Sequence, residues 1–115
     1  MITLYGIPNC DTVKKARVWL EQNNVEFTFH DFRKDGLEPA TVEDWCGRMD
    51  WETLVNKRST TWKKIDADIR DGLSRDNVVA LLVEHPTLIK RPVLDTPNTL
   101  EVGFKADLYQ TIFAA

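Results

Sequence analysis

Ile2-Thr3-Leu4-Tyr5-Gly6-Ile7-Pro8-Asn9-Cys10-Asp11-Thr12-Val13-Lys14-Lys15-Ala16-Arg17-Val18-Trp19-Leu20 is the stretch that decides the fold of this chain. A short apolar run, Ile2 to Tyr5, breaks at Gly6 and Pro8 and presents Cys10. It then passes directly into a segment of helical spacing, with Val13, Ala16, Trp19 and Leu20 on one face. The turn places a thiol at the start of a helix, where N–H groups without intrahelical partners and the helix dipole favour an anion. The thiolate is the nucleophilic form of cysteine, and helix N-termini are places where its pKa falls. A lone cysteine is commonly a small buried hydrophobe. Here the strand–Gly–Pro approach to Cys10, with Lys14, Lys15 and Arg17 following, favours a reactive thiol.

Beyond the helix, Asn23-Asn24 is a stop, and Val25, Phe27 and Phe29 alternate with Glu26, Thr28 and His30 at the period of a strand. Strand, helix and strand make a βαβ unit, so the first two strands are expected to be parallel. Arg33 to Gly36 reads as a polar turn, and Pro39 suits the first position of a helix in which Val42, Trp45, Cys46 and Met49 form the apolar stripe. Cys46 is thereby expected to be buried and inert. Asp50 can cap a short helix through Val55, and Asn56 to Thr60 is loop-like. One helix is expected from near Thr61 through Ile69 to Gly72, and Ser74 is expected to cap the next, which ends at His85-Pro86. Leu88 and Ile89 lead as a strand-like run to Arg91-Pro92, followed by a hairpin over Val93 to Val102 and a closing helix over Phe104 to Phe113. The order predicts one α/β domain over residues 1–115, with a mixed four-stranded sheet and a helical insertion at about 37–85.

With 115 residues, the chain is long enough for one substantial core. A net charge of −3 gives no electrostatic footprint for nucleic acid or an anionic membrane. No basic-then-apolar leader opens the sequence, and no apolar run reaches the roughly 18 residues that span a bilayer. Two cysteines do not make a disulfide scaffold, and with two histidines they offer no metal-ligand spacing. The expectation is a cytoplasmic monomer without metal, in a reducing compartment.

Three blocks are familiar: Tyr5-Gly6-Ile7-Pro8-Asn9-Cys10-Asp11-Thr12-Val13-Lys14-Lys15-Ala16, Asn56-Lys57-Arg58-Ser59-Thr60-Thr61-Trp62, and His85-Pro86-Thr87-Leu88-Ile89-Lys90-Arg91-Pro92. On them the chain resembles the thioredoxin-fold family of glutaredoxin-linked arsenate reductases and the related Spx regulators, closest to the YffB-like branch. The resemblance implies a thioredoxin-like sheet with an all-helical insertion, and a cis-proline at Pro92 facing the active cysteine. It also implies that Cys10 is the nucleophile, regenerated by glutathione or glutaredoxin, and that Arg91 is the arginine preceding the cis-proline. Two departures bear on substrate. Asn56 stands where the arsenate reductases carry a second anion-binding arginine, with Arg58 two residues on, and Val102-Gly103-Phe104-Lys105 contains no counterpart of their third. A multiply charged oxyanion needs several fixed donors. Spx regulators usually carry a C-x-x-C pair in the first block, whose fourth position here is Val13.

These readings give a glutathione-dependent monothiol reductase with Cys10 catalytic and glutathione as co-substrate. Arg91 can stabilise the thiolate or hold a glutathione carboxylate in a bidentate fork. Pro92 and Asn9 complete the expected wall and turn. Thr12 can hydrogen-bond the thiolate or serve only the first helical turn. Arg58 can add a cationic contact or be a solvated loop residue. Arsenate reduction and an Spx-like regulator docking on RNA polymerase are the alternatives.

Overall fold

The computed structural model describes residues 1–114. In chain order the elements are β1 (Thr3–Gly6), α1 (Asp11–Gln22), β2 (Thr28–Asp31), α2 (Phe32–Asp35), α3 (Pro39–Arg48), α4 (Trp51–Leu54), α5 (Thr60–Lys64), α6 (Ala67–Asp71) and α7 (Val78–Glu84). A 3₁₀ turn over Pro86–Leu88, β3 (Val93–Asp95), β4 (Leu100–Val102) and α8 (Ala106–Ile112) follow. They form two compact units: Met1–Gly36 together with the chain from Arg91 onward, and Leu37–Lys90.

The first unit is built on a sheet. Among the described residues it has four strands in the order β2-β1-β3-β4, with β1 parallel to β2 and antiparallel to β3, and β3 antiparallel to β4. The mixed α/β architecture expected from the first block is present. In register, Leu4 lies between Phe29 and Leu94. Its fully buried side chain meets Ala16 and Leu20 of α1, Leu94 and Tyr109 in one core cluster. Burying a leucine of this kind stabilises a fold by roughly 1.5–3 kcal/mol. Tyr109 is the centre of an aromatic group, edge-on to Phe104 at 4.8 Å and to Trp19 at 5.6 Å. Its hydroxyl donates to the Gly103 carbonyl at 3.4 Å, so the buried polar tip has a partner. Gly103 itself has φ +81°, a left-handed turn open to glycine at little cost.

The second unit is helical. The apolar stripe expected on α3 is buried at Val42, Trp45 and Cys46, and α3 packs on α7, which buries Val78, Leu81 and Leu82. A single bridge pairs Val55 with Ile89. It is flanked by Asn56 N–H donating to Leu88 O at 2.7 Å and Lys90 N–H to Leu54 O at 2.8 Å.

Several local expectations are corrected. The second strand begins at Thr28 rather than Val25, because Asn24 turns at φ +57° and the Val25 N–H closes the helix end on Leu20 O. The expected polar turn after it contains a helical turn, α2, whose first N–H groups are capped by Asp31. The single helix expected from Thr61 to Gly72 is two, since Ile65 is extended (ψ 138°) and Asp66 restarts the chain. Ser74 is not the cap of α7. That place is held by Asn77, whose side-chain carbonyl accepts from the Ser74 N–H at 2.8 Å. Leu88 lies in a 3₁₀ turn and Ile89 makes one bridge, not a strand. The closing helix starts at Ala106, and Tyr109 is its fully buried residue, with Leu108 and Ile112 only partly buried.

Candidate active site

β1 ends on Gly6, and the chain tightens so that the Cys10 N–H donates to Ile7 O at 3.3 Å. Cys10 then takes the N-cap position of α1 in an extended conformation (φ −91°, ψ 124°), and its carbonyl accepts the first helical bond, from Lys14 N–H at 2.9 Å. At an N-cap a side-chain acceptor faces the N–H groups of the next turn. Here the acceptor is sulfur. Burial raises the Cys10 pKa, but the combined pull of the Val13 N–H, the Arg91 guanidinium and the Thr12 N–H outweighs it, leaving the thiol below its ordinary value. Sγ closes no capping hydrogen bond of normal geometry, so the amides act as dipoles beside a large, half-buried sulfur.

This assigns Thr12 to the site through its backbone N–H. Asn9 is exposed on the turn, and Asp11 is exposed in the first turn of α1, where a carboxylate interacts favourably with the helix N-terminus. The cations following Cys10 do not serve it. Lys14 and Lys15 are exposed, and the Arg17 guanidinium lies 4.3 Å over the Phe29 ring. They lie on α1, beyond the turn that holds the thiol. The cation beside the sulfur comes instead from the other end of the sequence. Arg91 is half-buried and is joined to buried Pro92 by a cis peptide bond, and the Pro92 carbonyl accepts from Gly103 N–H at 2.9 Å.

Two residues unmarked in the sequence reading now belong to the site. The Val13 N–H exerts the largest lowering influence on Cys10. A Cβ on Gly6 would fall 2.8 Å from Val13 Cγ2, so the strand end and the first turn of α1 touch at the closest approach a glycine permits. The Gly6-x-x-x-Cys10-x-x-Val13 spacing was the available signal.

Arg58 belongs to the helical unit. It is exposed in the turn before α5, with its N–H donating to the Asn56 side-chain carbonyl at 3.1 Å. Cys46 is buried on α3, where burial pushes its pKa up, Arg75 lowers it and Glu43 raises it. His30 Nε2 is engaged with the Gly36 carbonyl at 2.7 Å, and His85 lies 3.7 Å from Glu84. Among the described residues no three His, Cys, Asp or Glu side chains are grouped to hold a metal ion, and no helix is long and apolar enough to cross a membrane. What the arrangement offers is one half-buried thiol with a lowered pKa and a guanidinium beside it.

A model of the ArsC family matches residues 5–112. A solved structure of a YFFB protein superposes with a TM-score of 0.94 and 38% identity, covering 99% of this chain and all of that one. The solution structure of an arsenate reductase (ArsC) related protein from Brucella melitensis is 40% identical with a TM-score of 0.76, over 99% of this chain and 95% of its own. The global transcriptional regulator Spx 1 of Oceanobacillus iheyensis is 31% identical over 109 residues, 93% of this chain and 82% of that protein.

Proposed function

This chain belongs to the ArsC family, and on that premise we propose that it is a glutathione-dependent monothiol reductase acting through Cys10. The observation that carries the reading is the thiol at the start of α1, lowered by Val13, Arg91 and Thr12 against the effect of burial. In the first step the Cys10 thiolate attacks the glutathione sulfur of a mixed disulfide. The new S–S bond joins Cys10 to glutathione, the old one breaks, and the substrate leaves as a thiolate that takes up a proton. In the second step a glutathione thiolate attacks the Cys10-bound glutathione. Oxidised glutathione leaves, and the Cys10 thiolate returns with the two electrons supplied by glutathione. Both are exchanges of the kind a low-pKa thiol beside a cation supports. An outside thiol is needed because the fourth position of the first block is Val13. Arg91 pairs with a glutathione carboxylate or with the thiolate, and the reducing cytoplasm supplies the co-substrate. Glutaredoxin is the protein that can replace free glutathione in the second step.

Mass spectrometry after exposure to oxidised glutathione tests this. One adduct located at Cys10 is expected, and an adduct at Cys46 alone, or none, removes the reading. Arsenate is expected to be a poor substrate. Asn56 and the Val102 to Lys105 stretch supply no arginine, and each missing charged hydrogen bond costs about 1.5–3 kcal/mol. Two such losses weaken anion capture by roughly two to four orders of magnitude. Arsenate turnover with glutathione and glutaredoxin should therefore be negligible beside exchange with a glutathione mixed disulfide. The reverse result would make arsenate the substrate and Arg58 the substitute anion clamp.

A second reading rests on the 31% identity to a global transcriptional regulator. In it the chain docks on RNA polymerase without chemistry. Retention of polymerase subunits by Cys10→Ser protein, with no thiol exchange by the wild type, would favour it.

A further inference from the structure

The middle sequence block is not absorbed by the thiol site, and part of it lines a cavity inside the helical unit. This cavity measures about 680 Å³ and is lined by Trp51, Glu52, Lys57, Trp62, Arg70 and Asp71, with Ala67 and Leu73 completing it. Its size falls within the roughly 300–1,000 Å³ typical of small-ligand sites.

Three features of the lining point to one ligand chemistry. The first is aromatic. Trp45 of the same unit is fully buried in the α3 core, whereas Trp51 and Trp62 are only half-buried and line the cavity. The second is charge. Two cations and two carboxylates surround one space, and none of the four joins an ion pair among the described residues. Elsewhere in the unit opposite charges do find each other, Arg75 with Glu43 and Arg48 with Asp44. The charges around the cavity are thus not paired with one another, and Lys57 Nζ sits 5.9 Å from the centre of the Trp62 ring. The third is an unmet donor. Arg70 lines the cavity and its guanidinium makes no hydrogen bond or ion pair among the described residues, so its outer N–H groups can meet an acceptor placed in the cavity. A ligand that satisfies all three carries a carboxylate, an ammonium group and a flat apolar side chain.

We propose that this cavity is a binding site for an aromatic α-amino acid or a short peptide presenting one. The carboxylate is held by Arg70 and Lys57, the ammonium group by Glu52 and Asp71, and the ring by Trp51 and Trp62. Nothing in the thiol chemistry of Cys10 requires it, so the two readings stand or fall separately.

The test uses the full chain and follows the indole N–H resonances, assigned with Trp51→Phe and Trp62→Phe. The probes are L-phenylalanine, phenylacetate, which lacks the ammonium group, and phenethylamine, which lacks the carboxylate. L-Phenylalanine should shift the Trp51 and Trp62 resonances saturably, and each truncated probe should bind about tenfold more weakly or worse. Arg70→Gln should weaken L-phenylalanine about tenfold while Cys10 alkylation is unchanged. The exposed Glu52→Gln is the second variant, in case Arg70→Gln disturbs the fold. It should weaken L-phenylalanine and leave phenylacetate unaffected. Absence of a saturable shift, equal binding of all three probes, or shifts confined to Trp19 and Trp45 overturns the proposal.

Discussion

The start of α1 and the apolar face of α3 each carry a cysteine, and folding moves the two thiols in opposite directions. Burial acts on both and by itself raises both. What separates them is their place along the helix. Cys10 is the N-cap, so the N–H groups of Thr12 and Val13 have no carbonyl one turn back and are directed toward its sulfur. Cys46 lies in the last turn of α3, where backbone amides are already spent on the helix. Its nearby charges, Arg75 and Glu43, pair with one another and oppose each other's influence on the thiol. The lowered pKa of Cys10 is therefore made by unspent backbone donors and one cation, not by exposure alone.

The largest effect that could break this contrast comes from removing each sulfur in turn. Cys10→Ser should abolish the glutathione adduct and all thiol–disulfide exchange, and Cys46→Ser should leave both close to wild type. Mass spectrometry of the two variants after oxidised glutathione decides it. Loss of exchange in Cys46→Ser protein that remains folded would show that the buried thiol takes part.

Next in size is the pH dependence of alkylation. A thiol whose folded pKa lies below its unfolded value is more ionised in the native protein wherever pH falls between the two. In that window iodoacetamide should modify Cys10 faster in the folded chain than in urea. Cys46, raised by burial, should behave oppositely, slow when folded and faster when unfolded. Arg91→Ala should move the Cys10 profile toward higher pH, because a hydrogen bond and a positive charge are lost together. Losing such a charged hydrogen bond to a glutathione carboxylate would also weaken binding by about 10- to 100-fold. Rate against pH, read by peptide mapping, checks each statement. An unchanged profile in Arg91→Ala would leave the helix amides as the main cause.

The sequence shows one side of this contrast better than the other. Gly6, Pro8, Cys10 and the apolar spacing behind them announce strand, turn and helix, because each follows a local rule of backbone geometry. The hairpin over Val93 to Val102 is legible for the same reason. Arg91 is named in advance only through family resemblance, since its approach to Cys10 spans most of the chain. The influence of Val13 comes from its amide, which no side-chain pattern advertises. In the helical unit the breaks are harder to read. Ser59, Asp66, Ser74 and Asn77 are all plausible caps, and which one starts a helix depends on packing that short windows do not contain. The same holds for Tyr109, whose place at the centre of the core is fixed by Trp19 and Phe104 from distant segments.

The smallest expected effect is also the finest probe of why the start of α1 differs from the last turn of α3. A Cβ on Gly6 would sit 2.8 Å from Val13 Cγ2, closer than two carbons can remain. In Gly6→Ala either the end of β1 or the first turn of α1 must move, and overpacking of this kind costs about 1–3 kcal/mol. A shift of the first turn carries the Val13 N–H with it and lessens its pull on the sulfur. The Cys10 alkylation profile should then move toward higher pH, and Tm should fall. Val13→Ala added to Gly6→Ala removes the colliding methyl groups but keeps the amide, so the double variant should regain the wild-type profile. It will still lack part of the stability that buried Val13 supplies. Recovery of the profile without full recovery of Tm would separate the amide's electrostatic role from simple packing. A fall in Tm with no change in profile would mean that the Val13 amide does not set the reactivity of Cys10, and the contrast between the two thiols would then rest on Arg91.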